Sequence, residues 1–166
     1  MSFAMVFSVA VSAADTIKME LKTGTVTIEL LPELAPNHVE RIKTLSSNGF
    51  YNGVVFHRVI DGFMAQTGDP TGTGMGGSDL PDLAAEFSPE PFVRGVVGMA
   101  RSQNPNSANS QFFIMFDDGR FLDNQYTVFG RVTEGMEHID QIKKGARNRN
   151  GAVEDPDQII SMTVSE

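Results

Sequence analysis

Period-two alternation in short runs, cut by turn residues, is the feature that most narrows what this chain can become. Thr16-Ile17-Lys18-Met19-Glu20-Leu21-Lys22 alternates polar with apolar, Thr23-Gly24 turns the chain, and Thr25-Val26-Thr27-Ile28-Glu29-Leu30 alternates again. That pattern reads as a hairpin in which each strand buries one face. Leu31-Pro32-Glu33-Leu34-Ala35-Pro36 ends it. Further short apolar runs fit strands at 54–56, 63–66, 96–100, 112–116, 127–130 and 159–164. Only two segments carry helical spacing. Val39, Ile42 and Leu45 form a stripe behind Asn37 and Glu40, which have capping-box spacing, and Asn48-Gly49 stops it. Met136, Ile139 and Ile142 form the other, predicted over 134–144, with Thr133 as its cap. Lys143 and Lys144 fall at its end, where the helix dipole favours cations, and Gly145 closes it. About eight short strands, two helices and glycine-rich turns predict a mainly β barrel or sandwich. The loops 67–92 and 101–109 are long for a plain barrel, and long loops on a rigid scaffold are where function is usually placed.

A chain of 166 residues is expected to form one domain and to bury roughly two thirds of its unfolded surface, with no need of a staple. It has no cysteine, which removes disulfides, thiolate nucleophiles and cysteine-based metal centres. Cysteine-free composition suits a cytoplasmic or a periplasmic setting equally. A net charge of −8 argues against nucleic acid or an anionic membrane as partner. The one basic run, 143–149, is short and is followed by Glu154, Asp155 and Asp157, so it reads as a solvated helix end and loop. Residues 1–14 are uncharged and mostly apolar but too short to span a bilayer. Ser12-Ala13-Ala14 resembles the end of a secretory signal, yet the positive start is missing. A signal remnant, an apolar arm packed on the domain or a neighbour, and a disordered extension all remain open. The domain proper is taken as 15–166.

Arg58 and Gln66 are the residues a mere core would not need. They sit in the greasy stretch Phe56-His57-Arg58-Val59-Ile60-Asp61-Gly62-Phe63-Met64-Ala65-Gln66-Thr67-Gly68-Asp69, and Ser110-Gln111-Phe112-Phe113-Ile114-Met115-Phe116 follows about 45 residues later. Together they suggest an apolar pocket with a hydrogen-bonding wall, suited to a neutral substrate. Other chemistries lack their parts. His38, His57 and His138 make no short ligand spacing; the first and last fall toward the polar sides of the predicted helices, and His57 reads as structural. Gly72-Thr73-Gly74-Met75-Gly76-Gly77 lacks the Gly-Lys-Ser/Thr end of a phosphate loop and reads as a folded-back turn. Ser110 has no activating context. Asp61-Gly62 and Asp69-Pro70 look like turns, and Asp82 and Glu86 complete no evident acid–base pair. Alone, Phe63 or Phe113 would read as core. Phe112 should point away from Phe113 and fill the interior with Phe56, Ile114, Phe116 and Phe129.

From Thr16 to Val164 the chain resembles the cyclophilin family of peptidyl-prolyl cis–trans isomerases, in its bacterial type. The motif from Phe56 to Asp69 carries the resemblance, with Gly98-Met99-Ala100, Asn106-Ser107-Ala108-Asn109-Ser110-Gln111-Phe112-Phe113-Ile114, and Phe121-Leu122-Asp123 through Val128-Phe129-Gly130. It implies a closed eight-stranded antiparallel barrel capped by two helices. It also implies a site. Arg58 is the catalytic arginine; Phe63, Met64, Phe113 and Leu122 are the walls of a proline pocket; Gln66 bonds near the substrate backbone. Phe63, Phe113 and Gln66 count with Arg58 as catalytic. Ala100 and the backbone of Arg101 hold the residue before proline, and Gln111 is a polar wall. Phe121 stands where many eukaryotic members carry tryptophan, and Tyr126 where many carry histidine. Loss of the indole N–H implies weak cyclosporin binding, whereas Tyr126 keeps a flat ring and a hydroxyl.

The resemblance thus implies isomerisation of X–Pro bonds in unfolded or flexible polypeptides, in aid of protein folding. No cofactor, metal, nucleic acid or stable membrane insertion is expected, and a monomer is. The alternative is a proline-segment binding module or chaperone whose isomerase activity is incidental. Retention of Arg58 favours the enzyme, since a pure binder gains little from a donor suited to a twisted amide. A metal or acid–base hydrolase has no coherent ligand set.

Overall fold

The alternation of the first hairpin sets the sheet. In β1 (Thr16–Leu21), Ile17, Met19 and Leu21 are buried and the residues between them are half-buried. β1 pairs antiparallel with β2 (Gly24–Leu30), with Ile17 opposite Ile28 and Met19 opposite Val26. The structure is a computed structural model and describes residues 15–165; the readings offered for residues 1–14 lie outside it. The other strands are β3 (Arg58–Ile60), β4 (Met64–Thr67), β5 (Val96–Met99), β6 (Phe112–Met115), β7 (Val128–Glu134) and β8 (Ser161–Ser165). They form one antiparallel sheet in the order β3-β4-β6-β5-β7-β2-β1-β8.

Two apolar layers follow from the pleat, because neighbouring residues of a strand point to opposite faces. Phe112 and Ile114 go inward and join Ile17, Val26, Val59, Val97 and Phe129 in the main core, with Phe56 and Phe116 as expected. Phe113 and Met115 go outward and pack with Met64, Phe92, Leu122 and Val128. Burying each such side chain contributes on the order of 2 kcal/mol by area. The second layer is the floor of the site.

The sheet curls but its strands do not complete a ring, so the expected closed barrel needs one correction. β3 and β8 are the two ends of the strand order, and other backbone fills the gap between them. Phe56 N donates to Asp157 O at 2.8 Å, Ile159 N to Val54 O at 2.8 Å, and Val59 N to Gly151 O at 2.8 Å. The same seam explains why the third strand is Arg58–Ile60 and not 54–56. The backbone near Val54 and Phe56 is committed to the seam, and Val55 makes only a single bridge, to Gln158.

Helix α1 (Pro36–Ser47) buries Val39, Ile42 and Leu45 as its spacing predicts. Its start is not the predicted capping box: Ala35 occupies the cap and makes no side-chain bond. The carboxylate of Glu86 does that work from across the fold, accepting from Asn37 N at 3.3 Å and His38 N at 2.9 Å. It also draws in His38, whose Nδ1 lies 2.6 Å from Glu86 Oε1. His38, predicted toward a polar side, is fully buried. Helix α2 (Met136–Asp140) is shorter than predicted. β7 continues to Glu134, and Gly135 takes the cap with φ +87, where a Cβ would strike the carbonyl of Thr25. Thr133 is therefore a strand residue and does not cap.

Candidate active site

The site begins with register. β3 and β4 pair Arg58 with Gln66 and Ile60 with Met64, so Arg58 and Gln66 emerge side by side on one face. Arg58 Nη1 donates to Gln66 Oε1 at 3.1 Å. A guanidinium can only donate, so the Gln66 oxygen must face it and the amide nitrogen must face away. That nitrogen donates to Gln111 Oε1 at 3.0 Å, and Gln111 Nε2 donates to the carbonyls of Gly74 at 3.0 Å and Gly76 at 2.9 Å. The relay ends in the glycine-rich loop, which is wound around a buried carboxylate. Asp69 accepts from the backbone N–H groups of Thr71, Thr73, Gly74 and Gly76 and from the Thr71 hydroxyl. Burial pushes this carboxyl up, but the hydrogen bonds from Thr71, Gly76 and Gly74 outweigh it and pull it down to about 2. Gly72 and Gly74 take φ +71 and +89, as a folded-back loop requires.

On its other edge Arg58 meets Asn150. Nε donates to the Asn150 carbonyl at 3.0 Å and Nη2 to Asn150 Oδ1 at 3.1 Å. The sequence reading does not include Asn150. Its only local signal is the pair Asn150-Gly151, which marks a turn and not a site. Burial lowers the Arg58 guanidinium from its ordinary value, yet arginine remains a cation at neutral pH.

Facing this polar edge is an apolar cup. Phe63, Met64, Phe113, Leu122 and Tyr126, with Arg58, Gln66, Ala100 and Arg101, line a cavity of about 140 Å³, the scale of one small ring. β4 supplies Met64, and the outward face of β6 supplies Phe113. A 3-10 turn at Arg120–Leu122 supplies Leu122. The Phe113 ring stacks on Phe92 and meets Tyr126 edge-on, each at 5.8 Å between centroids. Gly98, its register partner on β5, makes room for it: a Cβ there would fall 2.7 Å from both the Phe113 and Phe92 rings. The Arg101 guanidinium lies 4.5 Å over the Tyr126 ring and donates to Gln125 O, so it backs that wall.

Nine of the eleven residues predicted for the site line this cavity. The other two lie beside it. Gln111 stands behind Gln66 and lines an adjoining cavity of about 570 Å³, which shares Gln66, Ala100 and Arg101 with the first. Phe121 stands at the rim, 72% exposed, its ring 5.4 Å from that of Phe63. His57 lines neither cavity, and burial lowers its pKa. No group of three or more His, Asp or Glu among the described residues could hold a metal ion. No helix among the described residues is long and apolar enough to cross a membrane.

An apolar cup of about 140 Å³ with a guanidinium fixed at its lip defines a class of site with room for one small neutral ring and a charged hydrogen-bond donor beside it. Residues 16–164 match the family model for cyclophilin type peptidyl-prolyl cis-trans isomerase, and the chain belongs to that family. A Brucella suis protein named "Probable peptidyl-prolyl cis-trans isomerase" is 61% identical over 167 residues, covering 92% of this chain and 85% of that one. "Peptidyl-prolyl cis-trans isomerase-like 3" of Mus musculus is 44% identical over 135 residues, covering 78% and 82%. Among solved structures, a cyclophilin from Hirschia baltica superposes with TM-score 0.82 at 32% identity, over 92% of this chain and 74% of that one. A Cryptosporidium parvum cyclophilin type isomerase, crystallised in the presence of the dipeptide Ala-Pro, gives TM-score 0.83 at 28% identity, over 91% and 99%. The chain is a peptidyl-prolyl cis–trans isomerase: it accelerates rotation about X–Pro bonds of proline-containing polypeptides.

Proposed function

We propose that Arg58 is the catalytic donor, acting on the prolyl nitrogen in the twisted state, and that Phe63, Met64, Phe113 and Leu122 hold the ring while the chain before proline turns. The planar X–Pro amide resists rotation with a barrier of about 20 kcal/mol. No bond has to break. Twisting removes conjugation and leaves the lone pair on nitrogen, which becomes an acceptor only then. A fixed guanidinium therefore binds the twisted state more tightly than either planar isomer. A charged hydrogen bond contributes about 1.5–3 kcal/mol, roughly 10- to 150-fold in rate. The observation that carries this reading is the double anchoring of Arg58 at the lip of the apolar cavity, by Gln66 and by Asn150.

Gln66 serves as acceptor for Arg58 and as a wall near the substrate backbone. Ala100 and the backbone of Arg101 guide the residue before proline, and Tyr126 closes the cup. The Ala-Pro dipeptide used with the Cryptosporidium parvum relative is a ligand of the size this cup would take. Phe121 offers a ring but no N–H at the rim, which favours weak cyclosporin binding. The domain works as a monomer, without cofactor or metal, in the cytoplasm or the periplasm.

The test is cis-to-trans relaxation of a short Ala-Pro peptide with wild type and Arg58→Ala at matched concentration. A loss of at least about tenfold in turnover, with peptide binding nearly unchanged, is expected. A loss of binding with no selective loss of rate would overturn the role of Arg58 and favour the binding-module alternative.

A further inference from the structure

One residue outside the pocket holds the catalytic arginine from behind. Asn150 has φ +55, in the left-handed region that asparagine tolerates better than most residues. This brings two of its oxygens to one guanidinium: the backbone carbonyl accepts from Arg58 Nε at 3.0 Å, and Oδ1 accepts from Nη2 at 3.1 Å. The segment carrying Asn150 is itself fixed on the β3–β4 hairpin. Val59 N donates to Gly151 O and Gly145 N donates to Val59 O, each at 2.8 Å. Arg147 Nη2 donates to Asp61 O at 2.8 Å, which ties down the hairpin turn. Gly151, with φ +79, lets the backbone come close: a Cβ there would lie 2.6 Å from Ile60 Cγ1. The hairpin is thus clasped from the start of β3 to its turn.

A guanidinium is a flat group with five N–H donors. Asn150 takes one from Nε and one from Nη2, and Gln66 takes one from Nη1. Acceptors on two edges fix both the position and the plane of the group. One donor on each Nη stays uncommitted, available to a substrate.

We infer that Asn150 is a positioning residue for Arg58, setting the plane in which its free donors meet the twisted prolyl nitrogen. This rests on the reading of Arg58 as the catalytic donor. Because orientation matters most to the twisted state, the loss of Asn150 Oδ1 lowers kcat and leaves KM nearly in place.

Asn150→Gly isolates the effect, since glycine keeps the positive φ and the carbonyl and removes only the side-chain acceptor. Relaxation of an Ala-Pro peptide is measured for wild type, Asn150→Gly, Arg58→Ala and the double variant, with Tm for each. Asn150→Gly is expected to lower kcat roughly three- to tenfold, with KM within about twofold and Tm within a few degrees. In the Arg58→Ala background the same change causes no further loss, because the group it positions is gone. Wild-type turnover in Asn150→Gly, with Arg58→Ala slow, overturns this inference alone. The same fractional loss in both backgrounds overturns it too, since the effect then bypasses Arg58. Full turnover in Arg58→Ala overturns the reading beneath it and this inference together.

Discussion

Arg58 and Gln66 are register partners across the β3–β4 ladder, and their side chains are joined at 3.1 Å. A two-strand pairing therefore sets the spacing between the Arg58 cation and its acceptor on the neighbouring strand. Truncating Gln66 leaves Arg58 with Asn150 alone and cuts the relay to Gln111. Gln66→Ala is expected to lower kcat about tenfold with a small change in KM, read by peptide relaxation. A rise in KM alone would mean that Gln66 binds substrate and does not orient Arg58.

Gly98 and Phe113 occupy opposite positions on β5 and β6, with no room between them for a methyl group. Gly98→Ala overpacks the floor of the cup and displaces the Phe113 ring. Overpacking costs about 1–3 kcal/mol. Denaturant unfolding should show that loss, and kcat/KM should fall with it. Unchanged kcat/KM in a destabilised variant would show that the Phe113 ring position does not matter to proline binding.

Asp69 ties the loop behind Gln111 to the rest of the fold, with its carboxyl pulled from an ordinary 3.8 to about 2. Between those pH values the unfolded chain takes up a proton that the folded chain does not. The contribution to stability is complete above about pH 4 and is lost as pH falls through about 2, on the order of 2 kcal/mol in all. Asp69→Asn should destabilise at neutral pH and flatten the acid limb of the stability curve. An acid limb identical to wild type would contradict the assignment.

Glu86 satisfies two backbone N–H groups at the start of α1 and the Nδ1 of the buried His38 ring. Glu86→Ala leaves all three without that partner and is expected to cost roughly 2–3 kcal/mol. Glu86→Gln, which keeps an acceptor oxygen, should cost less. Equal melting temperatures for both variants and wild type would contradict the capping role.

Local pattern made most of the strands legible in the sequence, and the family resemblance supplied the residues of the cup. Alternation marked β1 and β2, and adjacent Phe112 and Phe113 separated into core and site as the pleat demands. The long motif placed Arg58, Phe63, Met64 and Gln66 together because one short hairpin carries them all. What stayed hidden depends on partners distant in sequence. Glu86 caps a helix 48 residues away, and the fully buried His38 finds its ring partner in that same carboxylate. Asn150 reaches Arg58 over 92 residues, through a seam no periodicity announces. The start of α2 shows the same limit, where a tight approach to Thr25, 110 residues earlier, fixes Gly135 as the cap over the better capping type Thr133.

The most direct test of the central claim is exchange between cis and trans Ala-Pro peptide bound to the enzyme, followed by NMR for wild type and Arg58→Ala. The account predicts that the variant slows both directions of on-enzyme exchange by the same factor, at least about tenfold, while the affinities for the two isomers stay nearly the same. Unchanged exchange on the enzyme, with affinity lost for one or both isomers, would contradict it.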